Sequence, residues 1–92
     1  MPREIEIKIP KSYMKHLKKL FKAHDEVEAA LSIMLKLAST LGIQTSPNFY
    51  TEWSSTPDTP VLSVYNYTTS SPGNQLGYIV FGRKYVYITI FT

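Results

Sequence analysis

The sequence predicts an α+β fold, a two-layer sandwich of order β-α-α-β-β-β-β in which an antiparallel meander packs on two helices. Three observations carry that expectation. Residues 3–9 alternate apolar and charged side chains, residues 11–41 repeat apolar side chains at helical spacing, and after Gly42 the chain turns to Thr, Ser, Tyr and β-branched residues broken by turn signals. At 92 residues and 43% hydrophobic, the chain can fill one core and not two, so a single domain over 1–92 is expected.

In the opening strand Ile5, Ile7 and Ile9 share one face and Glu4, Glu6 and Lys8 the other. Pro10 ends the strand and suits the first turn of a helix, where its missing N–H does no harm. The first helix then presents Tyr13, Leu17, Leu20, Phe21 and His24 as an apolar face, flanked by Met14, and runs to about Ala23. Asp25 followed by Glu28 has capping-box spacing, with Glu26 also placed where the helix dipole favours an acid. A second helix starts there, runs to Leu41 and stops at Gly42, which suits a left-handed cap. Only Glu28, Ser32, Lys36 and Ser39 make a thin polar line along it, so it is expected to be mostly buried, between the first helix and a sheet or against another subunit.

Strands are expected near 48–54, 61–69, 75–81 and 84–91, joined by Pro57-Asp58-Thr59-Pro60, Ser70-Ser71-Pro72-Gly73-Asn74 and a tight Gly82-Arg83 turn. A two-residue loop at Gly82-Arg83 pairs Val80 with Tyr85, Tyr78 with Tyr87 and Leu76 with Thr89 on one face, and Ile79 with Val86 and Gly77 with Ile88 on the other. Leu62, Val64, Ile79, Phe81, Val86, Ile88 and Ile90 then form an aliphatic face under the helices. Tyr65, Tyr67, Tyr78, Tyr85 and Tyr87 form the opposite one.

Charge is unevenly distributed. The formal net charge is +3 with a pI near 9.2, yet residues 45–92 hold only Glu52, Asp58, Arg83 and Lys84, so the excess lies in the first half. Lys11, Lys15, Lys18 and Lys22 fall at i, i+4, i+7 and i+11, a sector of roughly 60° on a helix. With Lys19 they make a stripe uninterrupted by acids, opposite the apolar face of the first helix. Such a stripe predicts an anionic partner: a nucleoprotein complex, a nucleic acid or an acidic protein. The bland alternative is a solvated face whose lysine stems cover nearby apolar surface. Arginine, the better reader of base edges, is scarce, so attraction without base readout is expected.

The tyrosine face could stack bases or serve as a protein interface, a homodimer included. Lys and Arg are nearly absent from those strands, with Arg83 and Lys84 at one hairpin tip the nearest cations, which favours protein. Trp53 reads as a core or sheet-edge anchor. His16 and His24 diverge by roughly 80° on a helix and do not form a metal pair, and His24 is expected to close the first helix. The sequence shows no nucleophile elbow, phosphate loop or paired carboxylates, so no catalytic residue, metal or cofactor is assigned. It has no cysteine, no apolar signal region and no run long enough to span a bilayer, so a cytoplasmic protein without membrane contact is expected. Asn66-Tyr67-Thr68 matches a glycosylation sequon whose use is not expected.

A strand, two helices and an antiparallel meander, with Lys15-His16-Leu17-Lys18-Lys19-Leu20 in the first helix, resemble the RelE/ParE toxin family over most of the chain. Ribonuclease members of that family place Arg, Lys, Tyr or His on the open sheet face and in a basic tail. The resemblance therefore implies Tyr78, Tyr85, Tyr87, Arg83 and Lys84 as the counterparts here, in an mRNA endoribonuclease or an inactive relative. The opening alternation and two helices also look like a ribbon-helix-helix DNA binder, which would aim Glu4 and Glu6 at DNA. In size and lack of motifs the chain is similar to accessory inhibitors of phages and archaeal viruses, anti-CRISPR proteins among them. A non-enzymatic binding protein is the leading expectation.

Overall fold

The computed structural model describes residues 3–56, 58–66 and 74–92. The elements follow the expected order: β1 (Glu4–Pro10), α1 (Lys11–Leu20), α2 (Glu26–Thr40), β2 (Tyr50–Thr56), β3 (Thr59–Tyr65), β4 (Gln75–Phe81) and β5 (Tyr85–Phe91). All strands join one antiparallel sheet in the order β1-β5-β4-β3-β2, and the two helices pack on one side of it.

The first and last strands of the chain are neighbours. β1 pairs with β5 from Glu4 opposite Phe91 to Pro10 opposite Tyr85. Arg3 and Thr92 exchange backbone hydrogen bonds of 3.1 and 2.8 Å at one end, and the Lys11 N–H donates to the Lys84 carbonyl at 2.9 Å at the other. Pro10 is both the last residue of β1 and the residue before α1, with an extended backbone. Helix α1 therefore leaves the sheet beside the β4–β5 hairpin tip.

Across the sheet, Ile7, Ile88, Ile79, Leu62 and Trp53 stand in one row facing the helices. Ile9, Leu62, Val64, Ile79, Val86, Ile88 and Ile90 are buried there against Met14 of α1 and Ala29, Ala30, Ile33, Met34 and Ala38 of α2. Each such side chain contributes about 1–3 kcal/mol by leaving water, less where it is alanine. Helix α2 packs mainly on β5 and α1 on β1, and on β2 Trp53 remains 53% exposed with its ring 5.6 Å from that of Phe81.

Three local expectations are corrected. The β4–β5 turn is Arg83-Lys84, with the Gly82 N–H donating to the Tyr85 carbonyl at 3.0 Å, so Val80 pairs with Tyr87, Tyr78 with Thr89, Ile79 with Ile88, Gly77 with Ile90 and Phe81 with Val86. The register differs from the expected one by two residues, which preserves every side chain's face because the strand period is two. Thr59 and Pro60 belong to β3, because Thr56 and Thr59 are paired. Helix α1 ends at Leu20 and not near Ala23, because the capping of α2 by Asp25 requires the chain to reverse first.

Both helices end in the same hydrogen-bond pattern. After α1 the Ala23 N–H reaches the Lys18 carbonyl at 2.9 Å and the Lys22 N–H that of Lys19 at 3.1 Å; after α2 the Ile43 N–H reaches Ala38 at 2.9 Å and the Gly42 N–H reaches Ser39 at 3.0 Å. This pattern needs a left-handed residue just past the helix. Gly42 fills it at φ 79°, and Lys22 fills it at φ 53°. Helix α2 starts as expected, with Asp25 Oδ1 accepting from the Glu28 N–H at 2.8 Å. The linker after α2 is tied to the end of β3 by Asn66, whose Oδ1 accepts from the Ser46 N–H at 3.1 Å and whose Nδ2 donates to the Gln44 carbonyl at 3.2 Å. The sequon asparagine thus has both ends of its amide engaged in hydrogen bonds.

Gly77 lets β4 and β5 approach closely. A Cβ there would stand 1.9 Å from the Thr89 carbonyl oxygen, a backbone atom that can retreat only by opening the strand pair. Next to it the β3–β4 register shifts between Val64 and Tyr65, leaving Leu76 without a partner opposite on β3. Gly77→Ala is expected to destabilise the protein by about 3 kcal/mol or more, read as a lower urea midpoint; a loss below about 0.5 kcal/mol would show that the strands can separate without penalty.

Candidate anion-binding flank of the first helix

The packing face of α1 is Met14, Leu17 and Phe21, rotated from the expected one. Tyr13 and Leu20 are 55% and 74% exposed, and His24 is exposed in the turn between the helices. Lys11, Lys15 and Lys18 consequently flank the packing face, at roughly 70–130° around the helix from it, and of the helix's four lysines Lys19 alone lies nearly opposite. The exposed surface of α1 has two halves: lysines on one side, and Tyr13, His16 and Leu20 on the other, with the Tyr13 and His16 rings 6.1 Å apart.

The structure divides the five lysines. Lys11 Nζ binds Glu26 Oε1 at 2.8 Å across to the start of α2, with both side chains partly buried. Such a partly exposed pair contributes at most about 1 kcal/mol, and it commits Lys11 to joining the helices. Lys15, Lys18, Lys19 and Lys22 line an open depression of about 620 Å³ together with Ala23. Among the described residues none of these four lies in an ion pair. Lys18 and Lys19 sit in the last helical turn, where the dipole offsets part of their mutual repulsion.

Lys22 joins this group by its place in the turn, since the helix has already ended. A non-glycine residue in the left-handed region costs about 1 kcal/mol, which Gly42 avoids in the equivalent position after α2. A strained lysine beside three unpaired lysines is an outlier of the kind that accompanies a functional constraint.

The tyrosine face is present on the side of the sheet away from the helices. Tyr65, Tyr78, Tyr85 and Tyr87 are half-buried there, joined by Tyr50 and Phe91, while Tyr67 lies outside the described residues. Ring contacts link Tyr50 to Tyr65, Tyr78 to Phe91 and Tyr85 to Tyr87, with centroids 6.1, 5.8 and 6.2 Å apart. Lys8 Nζ stands 4.1 Å above the Tyr85 ring. Glu4 and Glu6 on β1 and Glu52 on β2 border this face at both edges. Three carboxylates around one lysine suit a protein surface better than phosphates. Thr89, paired with Glu6 and Tyr78, is 1% exposed, and its Oγ1 has no hydrogen-bond partner.

Arg83 and Lys84 are exposed at the hairpin tip, beside the start of α1 through the Lys84 carbonyl. The lysine depression lies at the opposite end of α1, so the tip does not extend it. Among the described residues no group of three His, Cys, Asp or Glu could hold a metal ion, and no helix is long and apolar enough to cross a membrane.

Two features of this site were missed in the sequence. The Lys11–Glu26 pair joins residues on different helices, for which the sequence carries no signal. The left-handed Lys22 did have one, because a capping box starting at Asp25 leaves too little chain for α1 to continue to Ala23. The chain matches no family profile, no curated protein and no solved structure with which it was compared. The fold class and the surface chemistry therefore stand on the chain's own residues.

Lys22→Gly is expected to raise stability by about 1 kcal/mol in chemical denaturation, through release of the strained backbone. A loss of stability would show that the lysine side chain makes a supporting contact that outweighs the strain.

Proposed function

We propose that this protein is a non-enzymatic binding protein that docks on the nucleic-acid phosphates of a nucleoprotein complex through Lys15, Lys18, Lys19 and Lys22, with the tyrosine face of the sheet available to the complex's protein component. The observation that carries this reading is Lys22. A residue held in a left-handed turn at a cost, within a group of unpaired lysines around one depression, is better explained by a bound anion than by solubility. Lysines present point charges on flexible stems, which suits phosphates and does not suit base edges. Binding without turnover also fits an inhibitor carried by a phage or archaeal virus against a host defence complex.

A second reading, an RNA-cleaving toxin of the RelE type, is favoured by the element order β-α-α-β-β-β-β and by Tyr78, Tyr85 and Tyr87 on the open face. Glu4, Glu6 and Glu52 around that face weigh against bringing RNA to it.

Fluorescence anisotropy with short duplex DNA and RNA, repeated across salt concentrations, tests the proposal. Four lysine–phosphate contacts predict a slope of log K on log salt of about −3 to −4. Replacing Lys15, Lys18 and Lys22 together by Glu is expected to abolish binding and the salt dependence while leaving the circular dichroism spectrum unchanged. Unchanged affinity in that variant would reduce the stripe to a solvated face. RNA cleavage by the unmodified protein would favour the second reading.

A further inference from the structure

The two edges of the sheet are built differently. β1 carries Glu4, Glu6 and Lys8 on its exposed side and ends in Pro10, which has no N–H, both common ways of blunting an edge. β2 has the sequence Tyr-Thr-Glu-Trp-Ser-Ser-Thr, seven residues with one charge and no proline. It pairs with β3 on one side and with no other strand among the described residues. Its largest side chain, Trp53, is at its centre, on the side of the sheet where the helices sit, and is 53% exposed.

We propose that β2 is a homodimer edge: two copies pair β2 with β2 antiparallel about a two-fold axis at Trp53, extending the sheet across the dimer. The strand is self-complementary in that register. Trp53 faces the partner's Trp53, where two indoles cover each other's exposed surface, and Glu52 faces the partner's Ser54, so the only charge on the strand meets no like charge. This register also uses the whole strand, because Trp53 is the midpoint of Tyr50–Thr56. A two-fold axis between antiparallel strands of one sheet is perpendicular to that sheet. Both helix layers consequently lie on one side, and the two lysine depressions become available to a single long polyanion, which would gain avidity from the pairing. The dimer itself does not rest on that function.

Sedimentation equilibrium reads the mass directly. The expected species is twice the 10.5 kDa chain, and Trp53→Lys, which sets two ammonium groups against each other across the axis, is expected to weaken self-association by roughly 100-fold with an unchanged circular dichroism spectrum. Because the chain has no cysteine, Trp53→Cys is expected to give a disulfide-linked dimer on mild oxidation, and Lys36→Cys on the exposed side of α2 is not. A monomer at millimolar concentration would overturn the proposal. So would a dimer that survives Trp53→Lys, or one that dissociates instead on replacing Tyr78 and Tyr87 by Ser.

Discussion

The pairing of β1 with β5 is the constraint from which the rest of the arrangement follows. It joins the two ends of the described chain and closes nearly the whole sequence into one loop, which makes it the costliest contact in chain entropy. It is bought back by Ile7 and Ile9 against Ile88 and Val86, whose shared face is the floor of the core, while Ile5 opposite Ile90 stays exposed at its rim. Without this pair the sheet would be a four-stranded meander, and α1 would have no fixed starting point.

Because Pro10 is both the end of that ladder and the entry to α1, the helix direction is set at the strand's last hydrogen bond, from the Lys11 N–H to the Lys84 carbonyl. That direction turns Met14 into the core and leaves Tyr13 and Leu20 outside. It also brings Lys11 to Glu26, so the lysine at the helix start becomes a strut between helices while those near its end remain unpaired. The division of labour among the lysines is thus a consequence of how the helix leaves the sheet. Lys22 completes it, since the reversal into α2 must occur within the few residues before Asp25 and places a lysine in the left-handed turn.

Much of this was legible in the residues. The alternation of Ile5, Ile7 and Ile9, the Asp25–Glu28 cap, the stop at Gly42 and the sorting of aliphatic from tyrosine faces are local patterns, and local chemistry decides them. The pairings of the β4–β5 hairpin were legible only up to a shift of two residues, because Gly82-Arg83 and Arg83-Lys84 turns give the same faces. The rotation of α1 was not legible. Tyr13, Met14, Leu17, Leu20 and Phe21 form a broad apolar arc, and which part is buried depends on the position of β1 and α2, which the sequence of α1 does not contain. The lysine stripe was visible as spacing, but its reduction to Lys15, Lys18, Lys19 and Lys22 needed a contact between helices and a backbone angle.

The proposed anion site is the C-terminal end of α1 and not the open sheet. An amide-resolved NMR titration of the labelled protein with a short nucleic-acid duplex tests it most directly. Shifts are expected to concentrate at Lys15–Ala23, with Tyr78, Tyr85 and Tyr87 unmoved and Lys11 changed little. Shifts concentrated on β4 and β5, with α1 silent, would contradict it.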